Sequence, residues 1–436
     1  MKRTLMDGLI AWKSKKNRLP LILKGARQVG KTWLLNEFGR QAFDDVLYIN
    51  FENIPGLKET FDGDISPKRI LNLLGVLHNK KIKPQETLLI FDEVQEIPRA
   101  LTALKYFAEN APEYAICCAG SLLGVALHGG TSFPVGKVEF LNLLPLNFEE
   151  FLMANDEEAI IEYAKSESMR VIPRAITEKL TDYLKLYFVI GGMPAAVASW
   201  IETRDFSLVE RRQLDILETY ENDFSKHAPK NIVPKLRHLW SSVPAQLAKE
   251  NKKFVYGLVR DGARARDYEE AMLWLLDSGL LRKVGRITKA ATPLKAYEDL
   301  KAFKLYHFDV GLLRVMSELS PEAILEGMKI FEEFKGTLTE QFVLSELAGM
   351  DFIRNVYYWT SDATAEVDFV FSDGKDIYPL EVKSGDNLQA RSLKVYRDKF
   401  NPRLAIRASL ANLRLDGGLL NVPLFLIFNL KSYLER

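Results

Sequence analysis

The chain has 436 residues and a formal net charge of +1, with 47% hydrophobic and 27% charged residues. This composition is typical of a globular protein with about two to four domains, and it excludes a global basic field that would recruit nucleic acid or membrane. The two cysteines, Cys117 and Cys118, are adjacent and exclude both a disulfide framework and a zinc set, so we expect a reducing, cytoplasmic setting.

No segment predicts a membrane anchor. Residues 1–7 lack the apolar core of a secretion signal. The most apolar stretch, residues 419–430, contains Pro423 and is shorter than the roughly 20 residues that a bilayer span requires. We therefore expect no membrane partner.

A glycine loop lies between a predicted strand, residues 19–23, and a predicted helix that starts near residue 33. Residues 25–32 match the phosphate-loop (Walker A) pattern GxxxxGK[ST] at every fixed position. The glycines let amide groups point at phosphate oxygens, Lys31 reaches the β- and γ-phosphates, and the Thr32 hydroxyl takes a Mg²⁺ position. The alternative is a glycine-rich turn with a chance lysine. The predicted nucleotide-binding residues are Gly25, Ala26, Arg27, Gln28, Val29, Gly30, Lys31, Thr32 and Trp33.

A second motif follows some 60 residues later. After a predicted strand at residues 46–51, residues 87–93 form an apolar run that ends in Asp92 and Glu93, which is the Walker B pattern. Such acids emerge where open α/β sheets bind ligands. We expect Asp92 to hold Mg²⁺ through water and Glu93 to orient and deprotonate the attacking water.

The rest of the first domain continues the strand–helix alternation. We predict a helix at 98–110, strands at 114–119 and 137–141, and a helix capped by Asn147 with Glu150 three residues on. Ser121, after the strand at 114–119, is either a γ-phosphate sensor or a helix N-cap, and the sequence leaves both open. The alternation predicts a parallel sheet between helices, in a domain covering residues 1–155.

Helical periodicity dominates residues 156–330, which we assign to a second, helical and winged-helix domain. Residues 155–178 are expected to form a charged helical link. A helix that stops at Gly279 and is followed by a short strand at 280–284 gives the order of a winged helix. Basic clusters here, including Lys252 and Lys253, either engage nucleic acid or form an ordinary solvated surface, and interleaved acids favour the surface.

The last domain, residues 331–436, carries a second acidic constellation. Glu340 is expected near the start of a helix, Asp368 on one strand of a hairpin, and Glu381 and Lys383 on one face of the partner strand. Carboxylates around one divalent metal, with a lysine beside them, form a nuclease-type centre, so these four residues are candidate catalytic or metal-binding groups. The alternative is a cross-strand charge pair worth ~0.2–1 kcal/mol.

These motifs, in this order, resemble a family of bacterial and archaeal AAA-type ATPases with a P-loop domain and a C-terminal domain of unknown function. The resemblance rests on residues 25–32, 89–95, 119–121, 145–151, 306–312, 336–347 and 366–385. It implies an α/β fold with an AAA-like P-loop domain, a winged-helix middle and a C-terminal PD-(D/E)xK restriction-endonuclease-like domain. The family usually has Gly-Arg where this chain has Gly136 and Lys137, and a lysine loses bidentate geometry.

The sequence thus predicts an ATPase that uses ATP and Mg²⁺ and repositions a nuclease-like module on DNA or another nucleic acid, with a second Mg²⁺ or Mn²⁺ in that module. An alternative is a nucleotide-regulated interaction switch whose C-terminal domain is an inactive scaffold. A third hypothesis is a processive motor, which requires a ring with arginines supplied in trans. The sequence does not give the oligomeric state.

Overall fold

The structure is a computed structural model that describes residues 1–52, 56–120, 134–166, 171–249, 251–327, 332–361, 364–384 and 391–435. Two compact units divide the chain: residues 2–144 with 277–279, and residues 145–276 with 280–436. Among the described residues, no helix is both long enough and apolar enough to cross a bilayer.

The first unit is built on a five-stranded parallel sheet. Its order is β2-β3-β4-β1-β5, and every neighbouring pair is parallel. The prediction of a parallel sheet from the strand–helix alternation is therefore confirmed. The strands are β1 (Leu21–Lys24), β2 (Asp45–Asn50), β3 (Thr87–Asp92), β4 (Ala115–Ala119) and β5 (Glu139–Asn142).

The central strands of this sheet are apolar on both faces because helices cover both sides. All residues of β3 and β4 are buried, including both cysteines. A core of aliphatic and aromatic side chains packs between these strands and the helices that cross over them. The helices are α1 (Leu5–Lys13), α2 (Lys31–Ala42), α3 (Leu57–Phe61), α4 (Pro67–Leu77) and α5 (Pro98–Asn110).

The second unit combines a helical half with a large mixed sheet. The capping box predicted for Asn147 and Glu150 is present at the start of the first of these helices, Phe148–Ala154. The described helices are α6 (Phe148–Ala154), α7 (Glu158–Ser166), α8 (Arg174–Ile190), α9 (Pro194–Thr203), α10 (Phe206–His227), α11 (Val233–Leu247), α12 (Ala265–Asp277), α13 (Val310–Met316), α14 (Pro321–Leu325), α15 (Glu332–Ala348), α16 (Arg391–Phe400) and α17 (Leu430–Leu434).

The mixed sheet has eight strands in the order β12-β13-β11-β10-β9-β8-β6-β7. Parallel pairs join β6 to β8, β10 to β11 and β11 to β13, and the other pairs are antiparallel. The strands are β6 (Leu281–Ile287), β7 (Glu298–His307), β8 (Val356–Thr360), β9 (Glu366–Ser372), β10 (Ile377–Val382), β11 (Ala405–Ser409), β12 (Arg414–Asp416) and β13 (Leu419–Pro423).

This sheet crosses the boundary that we expected at residue 330. The segment assigned to a small wing, β6 and β7, pairs with β8, with Gly285 opposite Tyr357 and Ile287 opposite Trp359. Local sequence gives the helix, the glycine stop and the strand correctly, but it does not specify the distant partner of that strand. Residues 155–178 contain α7 and the start of α8, in agreement with the helical character expected of this segment.

Close backbone packing joins three segments of the second unit. The Leu146 N–H donates to the Gly192 carbonyl over 2.7 Å, and the Gly192 N–H donates to Asp309 Oδ2 over 2.7 Å. Asp309 also caps α13, since its Oδ1 accepts from the Leu312 N–H. A Cβ built on Gly192 would lie 2.1 Å from the Leu146 carbonyl oxygen. Only glycine fits at this point.

We predict that Gly192→Ala lowers the free energy of unfolding of this unit by about 1–3 kcal/mol, because its methyl group displaces the Leu146 backbone. Urea unfolding followed by tryptophan fluorescence measures the change. Gly257→Ala is the matched control, since its Cβ meets only Val255 at 3.9 Å. Equal stabilities for the two variants would contradict the packing argument.

Candidate nucleotide-binding site

The loop between β1 and α2 curls in a way that depends on its glycines. Gly25 has φ +152°, Gln28 has φ +64° and Gly30 has φ +95°. A Cβ on Gly25 would lie 2.2 Å from the Leu143 carbonyl oxygen. Positive φ angles at these three positions curl the loop, and such turns direct successive amide groups into one concavity that suits an anion.

Lys31 begins α2 and is 7% exposed. Its ammonium donates to the carbonyls of Gly25, over 2.9 Å, and Ala26, over 2.8 Å. Burial lowers the pKa of Lys31 to about 8, although the charges of Glu93 and Asp92 act in the opposite direction. The Lys31 ammonium is therefore buried and donates only to neutral carbonyls of its own loop in these two bonds. Phosphate oxygens would be stronger acceptors for the same donor.

The two predicted magnesium residues are in direct contact. The Thr32 hydroxyl donates to Asp92 Oδ2 over 2.7 Å, which joins the start of α2 to the end of β3. Asp92 is 4% exposed. A hydroxyl and a carboxylate at this distance are hard oxygen donors, and this donor set fits Mg²⁺.

Tyr48 is a member of this group that the sequence analysis missed. Its hydroxyl donates to the same Asp92 Oδ2 over 2.8 Å from the neighbouring strand β2. Burial, together with the bond to Asp92, raises the pKa of Tyr48 to about 12, so the phenol stays a donor at neutral pH. Strand alternation in β2 was the available signal, but the pairing of β2 with β3 was needed to use it.

Glu93 follows Asp92 in a strained turn with φ +51°. Its N–H donates to Asp92 Oδ1 over 3.1 Å, and its carboxylate accepts from Gln95 Nε2 over 2.6 Å. The Gln95 Oε1 atom is buried and has no hydrogen-bond partner among the described residues. Gln95 therefore fixes Glu93 and is a second residue that the sequence analysis did not assign.

Arg3, which precedes α1, forms hydrogen bonds that hold the phosphate loop. Its guanidinium is buried and donates to the carbonyl of Val29 over 2.9 Å and to that of Leu144 over 2.6 Å. Charged donors to backbone carbonyls make strong hydrogen bonds. Arg3 thus ties the phosphate loop to the chain segment that follows β5.

Other predicted residues have varied positions. Trp33 is 46% exposed on the first turn of α2. Lys137, in the place of the usual arginine, forms an ion pair with Glu109 on α5 over 3.0 Å. Ser121 lies outside the described residues, so its two roles stay predictions.

In the second acidic constellation, which lies in the other unit, lysines form ion pairs with acidic side chains. Glu340 lies in the middle of α15 rather than near its start, and its carboxylate accepts from Lys252 Nζ and from the Tyr306 hydroxyl. Burial opposes ionisation of Glu340, but the charges of Lys252 and Lys304 lower its pKa below the ordinary value. Lys304 is also buried and pairs with Glu366. Lys252 thus pairs with one of the acids that we expected to hold a metal, Glu340, while Lys304 pairs with an acid that the sequence analysis did not assign.

The hairpin strands do bring Asp368, Glu381 and Lys383 to one place. Asp368 Oδ2 accepts from the Val382 N–H over 2.8 Å, and Lys383 Nζ lies 2.7 Å from Glu381 Oε1. Glu381 also accepts from the Leu393 N–H over 3.1 Å. Burial, with the nearby charge of Glu340, raises the pKa of Asp368 to about 7. Within the described residues, no group of three or more His, Cys, Asp or Glu side chains is placed to hold a metal ion.

Lys252 corrects one expectation about the basic clusters. The sequence analysis places Lys252 with Lys253 in a cluster that could engage nucleic acid. Lys252 is instead 8% exposed and forms an ion pair with Glu340. Spacing in the sequence does not reveal this, because its partner lies 88 residues away. Seven other basic residues of these clusters are exposed: Lys226, Lys230, Arg237, Lys253, Arg260, Arg264 and Arg266.

Family models match three parts of the chain. Residues 17–152 match the family model of an AAA domain, while residues 181–323 and 335–427 match two domains of unknown function, DUF8612 and DUF4143. Comparison with curated proteins finds no match.

Among solved structures, the Walker-type ATPase PABY2304 of Pyrococcus abyssi is 16% identical, with 72% of this chain and 95% of that chain covered and a TM-score of 0.44. The Orc1 protein of Aeropyrum pernix, solved in complex with DNA, is 12% identical, with 72% and 90% covered and a TM-score of 0.27. Drosophila ORC, solved bound to DNA, is 11% identical, with 72% and 93% covered and a TM-score of 0.28.

The loop geometry and the family model lead to the same conclusion, and the predicted P-loop domain is confirmed. The nuclease-like identity of the C-terminal region stays a prediction, since its family model carries no function. Residues 17–152 match an AAA domain, and their glycine loop and parallel sheet have the geometry of a P-loop NTPase fold.

Proposed function

We propose that this chain binds and hydrolyses ATP with Mg²⁺ and uses the nucleotide state to change the conformation of its second unit. The observation that carries the proposal is the 2.7 Å hydrogen bond between Thr32 and Asp92, beside a loop whose backbone suits an anion. This bond places the last residue of one motif against the first acid of the other.

In this proposal the phosphates bind to the amide groups of residues 25–30 and to the start of α2. The Lys31 ammonium exchanges its bonds to the Gly25 and Ala26 carbonyls for bonds to phosphate oxygens. Anionic oxygens are stronger acceptors than carbonyls, so the exchange is favourable. Because the pKa of Lys31 is about 8, phosphate binding also favours the protonated ammonium.

Thr32 and Asp92 are the proposed Mg²⁺ residues, and a bound Mg²⁺ would neutralise charge that develops on the phosphate oxygens. Glu93 is the proposed base that takes a proton from the attacking water. Gln95 holds the Glu93 carboxylate in one orientation through its 2.6 Å bond. Tyr48 holds Asp92 in the same manner.

The second unit is the part of the chain whose conformation we propose to depend on the nucleotide state. The Leu143 carbonyl lies against Gly25 within the first unit, and the second unit begins two residues later in the chain, at Pro145. A nucleic acid is one proposed partner, and the seven exposed basic residues of the clusters support it. A winged helix that contacts that partner belongs to the same proposal, whereas nuclease action on it would require a second metal centre in the C-terminal region.

A second candidate is a nucleotide-regulated interaction protein whose C-terminal region is a scaffold. The pairing of Glu340 with buried Lys252, and of Glu366 with buried Lys304, favours this candidate over a second metal centre. A lysine that already neutralises a carboxylate competes with any divalent ion for it. We therefore propose the scaffold for the C-terminal region and the ATPase for the first unit.

The ATPase proposal predicts that Lys31→Ala abolishes ATP turnover because the phosphates lose their cation. Glu93→Gln should keep ATP binding while hydrolysis falls by about 100-fold or more, since the general base is removed. Phosphate release measures turnover, and calorimetry with Mg²⁺-ATP measures binding.

Lys68→Ala, an exposed lysine on α4, is the matched control and should retain turnover. Full turnover by Lys31→Ala would refute the proposal, and so would the absence of any binding heat in the folded wild-type protein.

Tyr48→Phe should raise the Mg²⁺ concentration for half-maximal turnover by about 10–100-fold, because a residue that orients a metal ligand is lost. Titration of Mg²⁺ at saturating ATP gives this value. Tyr106→Phe, on α5, is the control of identical chemistry. An unchanged Mg²⁺ requirement in Tyr48→Phe would show that Asp92 needs no such support.

The scaffold proposal predicts that Glu340→Gln lowers the free energy of unfolding by about 3–5 kcal/mol, because it leaves the Lys252 charge buried without its partner. Urea unfolding measures this loss. Millimolar Mn²⁺ should then stabilise the wild type and Asp368→Asn equally in calorimetry without nucleotide. Stabilisation by Mn²⁺ that disappears in Asp368→Asn would instead support the nuclease-type centre.

A further inference from the structure

The chain enters the first unit a second time at residues 277–279, far in sequence from the phosphate loop. A Cβ built on Gly279 would lie 3.7 Å from the Ala26 backbone nitrogen, which is an ordinary van der Waals distance. The residues on either side of this segment belong to the second unit. The chain of the second unit is therefore interrupted by three residues that pack beside the phosphate loop.

This segment is the closed end of a helix rather than a loose connection. Asp277 is the last residue of α12, and Gly279 has φ +75°. The Leu280 N–H donates to the Leu275 carbonyl over 3.1 Å. A left-handed glycine together with this hydrogen bond forms a Schellman cap, which closes a helix in one defined conformation. Because β6 begins directly afterwards, at Leu281, a displacement of the segment is passed on to α12 and β6.

The segment packs against a peptide group that changes partners when phosphate binds. The Gly25 carbonyl and the Ala26 N–H belong to one planar peptide group. Lys31 Nζ donates to that carbonyl over 2.9 Å, and in the proposed function phosphate oxygens take over this donor. The peptide group then loses one of the bonds that fix its orientation, and its nitrogen is the atom beside Gly279.

Two charges give this response a direction. Lys24 precedes the loop, and its Nζ lies 4.0 Å from the centroid of the Phe140 ring. Burial lowers the pKa of Lys24, while the charge of Asp277 acts in the opposite direction, so the two side chains attract each other. Asp277 is exposed, and the attraction is therefore modest. Bound phosphates have the same sign of charge as Asp277 and compete for Lys24, which weakens the attraction.

We propose that residues 277–279 couple the occupancy of the phosphate loop to α12 and β6. Without phosphate, Lys24 attracts Asp277 and the peptide group beside the segment stays in place. With phosphate, both restraints weaken and the capped helix end is released. This inference rests on the proposed nucleotide site, and it adds a route by which occupancy of that site reaches the second unit. By linkage, a change that loosens the segment beforehand must strengthen nucleotide binding.

Asp277→Asn tests the coupling in the full chain. Calorimetry should show that this variant binds Mg²⁺-ADP about two- to fivefold more tightly than the wild type, since it has already lost the attraction that phosphate must overcome. Hydrogen exchange followed by mass spectrometry gives a second readout. In the wild type, ADP should speed the exchange of amides in residues 274–284. In Asp277→Asn this exchange should be fast both with and without ADP. Circular dichroism checks that each variant is folded.

The matched control is Asp267→Asn, which makes the same change at the exposed start of the same helix. It should behave like the wild type in both measurements. Lys24→Gln removes the other charge of the pair, so adding Asp277→Asn to it should not change the affinity for ADP any further. This comparison isolates the attraction between the two side chains from the effect of either charge alone.

The outcomes separate this coupling from the nucleotide site itself. A folded wild type that binds no Mg²⁺-ADP would overturn both proposals. If the wild type binds ADP, three results would overturn the coupling alone: equal affinities of Asp277→Asn and Asp267→Asn, exchange in residues 274–284 that ADP does not alter, or a full effect of Asp277→Asn in the Lys24→Gln background.

Discussion

The hydrogen bond between Thr32 and Asp92 is the contact on which the nucleotide site depends. It joins residues that are 60 positions apart, and it exists because β1 and β3 run parallel with β4 between them. Parallel strands end at the same edge of a sheet, so a loop after one strand meets an acid after another. The direction of the apolar strands therefore brings the two motifs of the site together.

The sequence predicts this half of the molecule well because its signals are local. A glycine loop needs left-handed backbone at Gly30, and a buried strand such as β3 is a continuous apolar run. Tyr48 and Gln95 escaped prediction for the opposite reason. Tyr48 belongs to the site only because β2 pairs with β3, and Gln95 only because Glu93 turns with a positive φ.

The C-terminal constellation shows where residue spacing stops being informative. The hairpin was predicted correctly, and it does place Asp368 beside the strand that carries Glu381. The chemistry is set instead by Lys252 and Lys304, which arrive from other parts of the chain. A buried carboxylate requires a partner, and spacing within the hairpin cannot distinguish a lysine from a metal ion in that role.

The eight-stranded sheet has a consequence for dividing this protein into fragments. The two family models of unknown function meet between residues 323 and 335, yet β6 and β8, on either side of that gap, are hydrogen-bonded neighbours. Cutting the chain there would remove β6, one of the two partners of β8, and leave an unpaired strand edge, which promotes self-association. The two halves are therefore best produced, crystallised and assayed as one polypeptide.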